Sequence, residues 1–215
     1  MVTELRVGAV GWKHPEWTSV YYPDGLPKEW RLAYYANDFR AALIPFDELL
    51  GAPSSALRQW SSEVPDGFLF GVEVRPHPAV GSVLHRCNSL GERLKGVLLR
   101  APEPELPGLL TVLAETLPRI PISYDGRFAP QGRARQETSA PLSCVWQGQP
   151  EATPAAPLAM GVLRATASLR GLRNDVEAFL AYARHCTCGV LWAQGEPPDL
   201  ALLRHAQLIG ELLGH

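Results

Sequence analysis

The chain has 215 residues and a mass of 23.5 kDa, the size of one globular domain with a substantial core, so we expect a single unit over residues 1–215. Its 20 Lys and Arg face 22 Asp and Glu for a net charge of −2, which withholds the basic footprint of a non-specific nucleic-acid binder. No apolar run approaches the roughly 20 residues of a membrane span, and no basic-then-apolar leader opens the chain. The expectation is therefore a cytoplasmic protein with no membrane partner.

Short apolar runs alternate with helical periods, the pattern of βα units and a parallel sheet. The first predicted strand is Leu5–Val10, closed by Gly11. A helix is predicted from Pro27, since proline's missing N–H costs nothing in a first turn. Leu32, Tyr35, Ala36 and Phe39 then fall at i, i+3, i+4, i+7 as its buried stripe. Strand Ala41–Ile44 and helix Ser54–Glu63 follow, the helix turning Leu57 and Trp60 inward. Strand Phe68–Val74 sends Phe68, Phe70, Val72 and Val74 to one face and Gly71, Glu73 and Arg75 to the other. Helix Val83–Leu94, strand Gly96–Leu99, helix Pro107–Leu117 and strand Ile120–Tyr124 keep the rhythm.

There it fails. Residues 129–140 are polar and rich in Gly, Arg and Gln, and residues 147–157 are rich in Pro and Ala. Neither has a helical stripe, so both read as loops standing in for helices, with strand Leu142–Trp146 between them. Strand Leu158–Leu163, helix Asp175–Arg184 capped by Asn174, strand Gly189–Trp192 and a helix from Asp199 to Leu213 complete the chain. Eight strands in this length leave about 27 residues per unit, against roughly 250 residues for a full (β/α)8 barrel. The fold class is α/β, a trimmed TIM-like barrel without helices after strands 5 and 6; an open doubly wound sheet is the alternative. A parallel strand face without its helix needs a cover, so a homodimer or a packed loop is expected there.

Cysteine adds little. Four are too few and too scattered for a disulfide framework. Cys87 and Cys144 read as core, and Cys186 and Cys188 beside His185 read as the start of a strand rather than a zinc site.

The N-terminal third carries a specific signature. Val7-Gly8-Ala9-Val10-Gly11-Trp12 is followed by Pro15-Glu16-Trp17, Tyr21-Tyr22-Pro23-Asp24-Gly25-Leu26-Pro27 and Arg31-Leu32-Ala33-Tyr34-Tyr35-Ala36. With Arg58-Gln59-Trp60 and Val64-Pro65-Asp66-Gly67-Phe68, these motifs resemble the YecE-like family of TIM-type barrels, a family of unknown function. Val162-Leu163-Arg164 is a late anchor of the same resemblance. Its barrels look like sugar isomerases and apurinic-site endonucleases in shape, an analogy of fold alone.

The chain departs from the family where barrel strands end. Ala42-Leu43-Ile44-Pro45 stands where the family reads Val-Glu-Ile-Asn, and Glu73 stands for a lysine. Ser123-Tyr124-Asp125-Gly126 replaces Glu-Phe-Arg-His, Thr166 replaces a histidine, and Ala193 and Gln194 replace an asparagine pair. Strand C-termini are where TIM barrels place their chemistry. The scaffold is kept and much of the mouth is changed.

The candidate mouth is thus His14, Trp12, Trp17, Glu73, Arg75, Arg100, Tyr124, Asp125, Arg127, Arg164 and Gln194, with Asp47 and Glu48 nearby. Guanidinium forks match oxyanions and indole faces stack. The favoured reading is a binding or regulatory module that takes an anionic small molecule or a protein partner. Its ligand-binding residues would be Trp12, Trp17, Arg75, Arg100, Tyr124, Arg127, Arg164 and Gln194. The alternative is a hydrolase or isomerase on a phosphorylated, sugar-containing or nucleic-acid substrate, with His14, Glu73 and Asp125 as its acid/base groups. Glu73 and Arg75 could equally pair with Arg100 or Asp125 and fill the barrel. No cofactor is expected, and no metal, because no histidine stands at the second, fifth or seventh strand end to complete a set with Asp47, Glu48 and Asp125. Arg127, Arg133 and Arg135 form the one local basic stripe, too little to make nucleic acid the expected partner.

Overall fold

The computed structural model describes residues 4–127, 142–148, 154, 157–163 and 168–215. Its strands are β1 (Glu4–Val10), β2 (Ala41–Ile44), β3 (Leu69–Val74), β4 (Leu94–Leu99), β5 (Ile122–Tyr124), β6 (Leu142–Cys144), β7 (Leu158–Leu163) and β8 (Cys188–Ala193). The helices are α1 (Arg31–Asp38), α2 (Phe46–Gly51), α3 (Ser54–Glu63), α4 (Val80–Cys87), α5 (Leu106–Thr116), α6 (Leu169–Tyr182) and α7 (Leu200–Leu212). All strand pairings are parallel, in the order β6-β5-β4-β3-β2-β1-β8-β7. The two edges meet just past β6: Trp146 N–H donates to the Met160 carbonyl at 2.9 Å, and Val162 N–H to the Trp146 carbonyl at 3.0 Å. That bridge closes the sheet into a TIM-like barrel and removes the open-sheet alternative.

Two separate cores follow from strand alternation. Leu43, Leu69, Leu98, Val145, Leu158, Met160, Val162, Val190 and Trp192 fill the barrel. Trp192 needs room, and Gly71 supplies it: a Cβ there would lie 3.0 Å from the indole Cζ2, so the ring reaches across the barrel from β8 to β3. The larger core lies between strands and helices and holds the predicted stripe Leu32, Tyr35, Ala36 and Phe39. The Tyr35 hydroxyl latches two strands, accepting from Ala9 N–H and donating to the Ala41 carbonyl, each at 2.8 Å.

Local chemistry corrects several predicted boundaries. Pro27 precedes a 3-10 turn, Lys28–Trp30, before α1 begins. The helix expected over Val83–Leu94 stops at Cys87 and continues as 3-10 turns over Asn88–Arg93, which Gly91 interrupts with φ +57°. Helix α6 begins well before Asn174: Ser168 is its N-cap, its side chain accepting from Gly171 N–H at 3.1 Å. Helix α2 was not expected at all.

The loops expected in place of helices after β5 and β6 fall mostly outside the described residues. Part of that wall is nevertheless covered. Phe179 of α6 packs edge-on against Trp146 at 5.6 Å, and the Tyr182 hydroxyl donates to the Cys144 carbonyl. One helix thus reaches back across β7 to β6. No described helix is long and apolar enough to cross a membrane.

Candidate functional site

The C-terminal ends of β3, β4 and β5 present a charged rim built by alternation. Glu73, Leu98 and Ser123 are register partners across β3, β4 and β5, and Ser143 continues the row on β6. Partners in a ladder face the same way, so this row points into the barrel with Leu98. Two residues further on, Arg100 and Asp125 face the same way at the rim. Arg100 Nη1 donates to Glu73 Oε2 at 2.9 Å, and its Nε lies 3.5 Å from Asp125 Oδ2. Arg127 reaches back to Asp125 with Nη2 to Oδ2 at 2.6 Å and Nε to Oδ1 at 3.0 Å. Gln147 Nε2 adds a bond to Oδ1 at 2.6 Å.

Asp125 is 1% exposed and Glu73 8%, so neither charge would tolerate isolation. Burial alone would raise the Asp125 pKa. The Arg127 side chain and backbone N–H, Gln147 and the Arg127 charge outweigh it and hold the carboxyl below its ordinary value. The same contact raises Arg127. Asp125 is therefore a fixed anion that accepts hydrogen bonds.

The rim continues over β1 to β3 with compensated pairs. Arg75 pairs with Asp47 and lies 5.3 Å over the Phe46 ring, while Lys13 Nζ stands 3.1 Å from Glu48. Asp47 and Glu48 sit on α2 and face these cations rather than Asp125. Among the described residues no three metal-ligating side chains converge. Cys188 faces the barrel, and burial pushes its thiol up to about 12.

Below the rim lies an unbalanced layer. Ser123 Oγ and Trp192 Nε1 are buried without a hydrogen-bond partner among the described residues, and so is Gln194 Nε2 at the end of β8. An orphaned buried polar atom costs about 1–3 kcal/mol. Three around one barrel end are a concentrated deficit.

Several candidates sit elsewhere. Trp12 is packed edge-on against Trp60 at 5.1 Å, and Trp17 stacks on Tyr35 at 6.3 Å with its Nε1 donating to the Pro198 carbonyl at 3.3 Å. Both rings are spent in the outer core. His14 keeps its place after β1, with Nε2 bonded to the Val10 carbonyl at 2.9 Å and its ring 4.7 Å from Trp17. Tyr124 turns outward, between inward Ser123 and Asp125, and packs against the outer core. Arg164, Thr166, Arg133 and Arg135 lie outside the described residues. The structure thus brings together Glu73, Arg100, Asp125 and Arg127.

Sequence reading did not select Gln147, Ser123 or Trp192 as site residues. Period-two counting from Ser143 through Val145 would have aimed Gln147 inward. The same count through Val190 would have aimed Trp192 there.

A model of the family described as "Protein of unknown function DUF72" matches residues 6–123. No curated protein matches the sequence. Among solved structures, a DUF72 family protein from Thermotoga maritima superposes with a TM-score of 0.68 at 15% identity, over 99% of this chain and 100% of that one. A DUF72 family protein from Enterococcus faecalis gives 0.68 at 12% identity, over 96% and 95%. Phosphoribosyl anthranilate isomerase from Thermotoga maritima gives 0.50 at 12% identity, over 98% and 99%. At such identities the likeness is one of fold.

Proposed function

The chain belongs to the DUF72 (YecE-like) family of proteins of unknown function, and from that premise we propose that it is a binding or regulatory module whose barrel mouth holds a small oxyanion-bearing molecule. One observation carries this reading. Arg75, Arg100 and Arg127 stand on the rim of one barrel end, each fixed by a carboxylate and each with at least one guanidinium nitrogen left uncommitted among the described residues. A guanidinium held by a carboxylate is a pre-oriented donor, and donors already in place cost a ligand little ordering. Each of the described basic side chains in this rim has an anionic partner, so recognition would come from donor geometry more than from net field.

The reading is tested by titrating inorganic phosphate calorimetrically into the wild-type chain and an Arg75→Ala/Arg127→Ala variant. Both arginines are about half exposed, so the variant should still fold, and a loss of affinity of at least tenfold is expected. Unchanged binding would overturn the rim as the site.

The hydrolase or isomerase alternative draws on the burial of Glu73 and Asp125 at the same end. Weighing against it, Asp125 is held ionised and His14 spends Nε2 on a backbone carbonyl. A Glu73→Gln variant that lost a measured turnover while remaining folded would reverse that preference.

A further inference from the structure

We propose that the layer beneath the rim is the seat for the uncharged, hydroxylated end of that ligand, so that the ligand class is a short polyol carrying a terminal oxyanion rather than a free anion. This rests on the rim reading and goes one inward step deeper. Ser123 is 1% exposed and stands in register between Leu98 and Ser143, in a row facing the barrel. Its hydroxyl, the Trp192 indole N–H and the Gln194 amide nitrogen are all buried and have no hydrogen-bond partner among the described residues. An indole N–H and an amide nitrogen can only donate, and a serine hydroxyl can both donate and accept.

The placement of Trp192 ties this layer to the rim. Its six-membered ring lies against Gly71 of β3 through Cζ2 and Cη2, and Nε1 is two bonds from Cζ2. Gly71 is the inward position immediately below Glu73, as Ser123 is immediately below Asp125. Successive inward residues on a strand are about 7 Å apart, close to the span from an oxyanion to the far hydroxyl of a three-carbon chain. A ligand gripped by Arg100 or Arg127 would therefore lower its hydroxyls to the level of Ser123 and Trp192. Lone-pair oxygens are what three unpartnered donors lack.

The test uses four probes on the full chain: inorganic phosphate, glycerol 3-phosphate, glycerate and glycerol. Glycerol 3-phosphate or glycerate should bind at least tenfold more tightly than inorganic phosphate, the winner identifying the oxyanion, and glycerol alone should not bind measurably. Ser123→Ala and Trp192→Phe should bring the preferred probe back to the affinity of phosphate while leaving phosphate binding unchanged. Ser123→Ala should also melt no lower than wild type, since it deletes an unpaired group; a lower melting temperature would mean an internal partner for the hydroxyl and would overturn its role. Equal binding of phosphate and both polyol anions, or discrimination that survives both substitutions, would overturn the seat and leave the rim standing. Binding of none of the four would overturn both.

Discussion

The two halves of the barrel wall are built to different rules. From β1 to β4 the outer core is a run of aromatic contacts, with Trp12, Trp17, Tyr21, Tyr22, Tyr35, Phe39, Phe68 and Phe70 in mutual contact, and this half holds almost all of the family match. From β5 to β8 the aromatic content of the outer core thins to Tyr124, Trp146, Phe179 and Tyr182, and two of the strands are only three residues long. The match ends at residue 123, two positions before Asp125. Half of the rim cluster (Glu73 and Arg100) therefore lies within the matched segment, and half (Asp125 and Arg127, with Gln147) lies beyond it. Ion pairs occur in both halves; what sets the thinner half apart is Asp125, a carboxylate with no exposed side-chain surface that Arg127 and Gln147 hold in place.

The largest effect should come from breaking the first half at its tightest point. A Cβ on Gly8 would overlap the backbone carbonyl of Ala41 on the neighbouring strand, where no side chain can move aside. Gly8→Ala should cost about 4 kcal/mol, in the range reserved for named steric faults, and lower Tm by about 10 °C. A loss under about 3 °C in a thermal melt would mean that β1 and β2 can part cheaply.

Next in size is the seam between the halves. Asp125→Asn should cost about 3 kcal/mol at pH 7, the scale of breaking a buried pair. The sign with pH is fixed by the lowered carboxyl. Its stabilisation is complete above the unfolded-state value near 4 and disappears as pH falls through the lower folded value. Melts at pH 7, 4 and 3 should therefore show the gap between wild type and Asp125→Asn closing below pH 4. A gap independent of pH would assign the effect to shape rather than charge.

The same contrast explains what was legible in the sequence. Ala41–Ile44, Ser54–Glu63 and Leu158–Leu163 were read to the residue because each is bounded by proline or charge and has one clear period. Helix α2 went unread because six residues after Pro45 show too little period to register. The start of α6 was read six residues late, at Asn174, because Asn-Asp looks like a cap when Leu172 is not counted into the stripe with Val176, Phe179 and Leu180. At the site, Glu73, Arg100 and Asp125 were legible since strand ends are where barrels put polar groups. Their partners were not, because pairing depends on register between strands, and register is not written in any one of them. Trp12 and Trp17 misled for a related reason: an aromatic after a strand faces the mouth or the helices according to a loop path that residue type does not fix.

A smaller effect should separate latch from seam. Tyr35→Phe removes one hydroxyl and leaves both Ala9 N–H and the Ala41 carbonyl without it in a fully buried setting. The expected cost is about 2 kcal/mol, seen as a Tm lower by about 6 °C with no dependence on pH from 4 to 8. Were the apolar shell sufficient to hold β1 against β2, the variant would melt with wild type.

The smallest effect uses the same chemistry as the seam in a different place. Arg204 of α7 meets Asp38 of α1 at 3.2 Å, joining the last helix of the chain to the first. In sequence separation and residue type it matches the Arg100–Asp125 contact or exceeds it. The difference is water: the side chains of Arg204 and Asp38 are 59% and 40% exposed, against 20% and 0% for Arg100 and Asp125. An exposed pair gives up little solvation and gains little, typically about 0–1 kcal/mol, and the Arg204 guanidinium keeps its place over the Tyr21 ring, 5.7 Å from its centroid. Asp38→Asn should therefore shift Tm by no more than about 2 °C, and 0.5 M salt should erase even that. A shift comparable to that of Asp125→Asn would show that ring closure between the chain's two ends, rather than burial, sets what an ion pair contributes in this barrel.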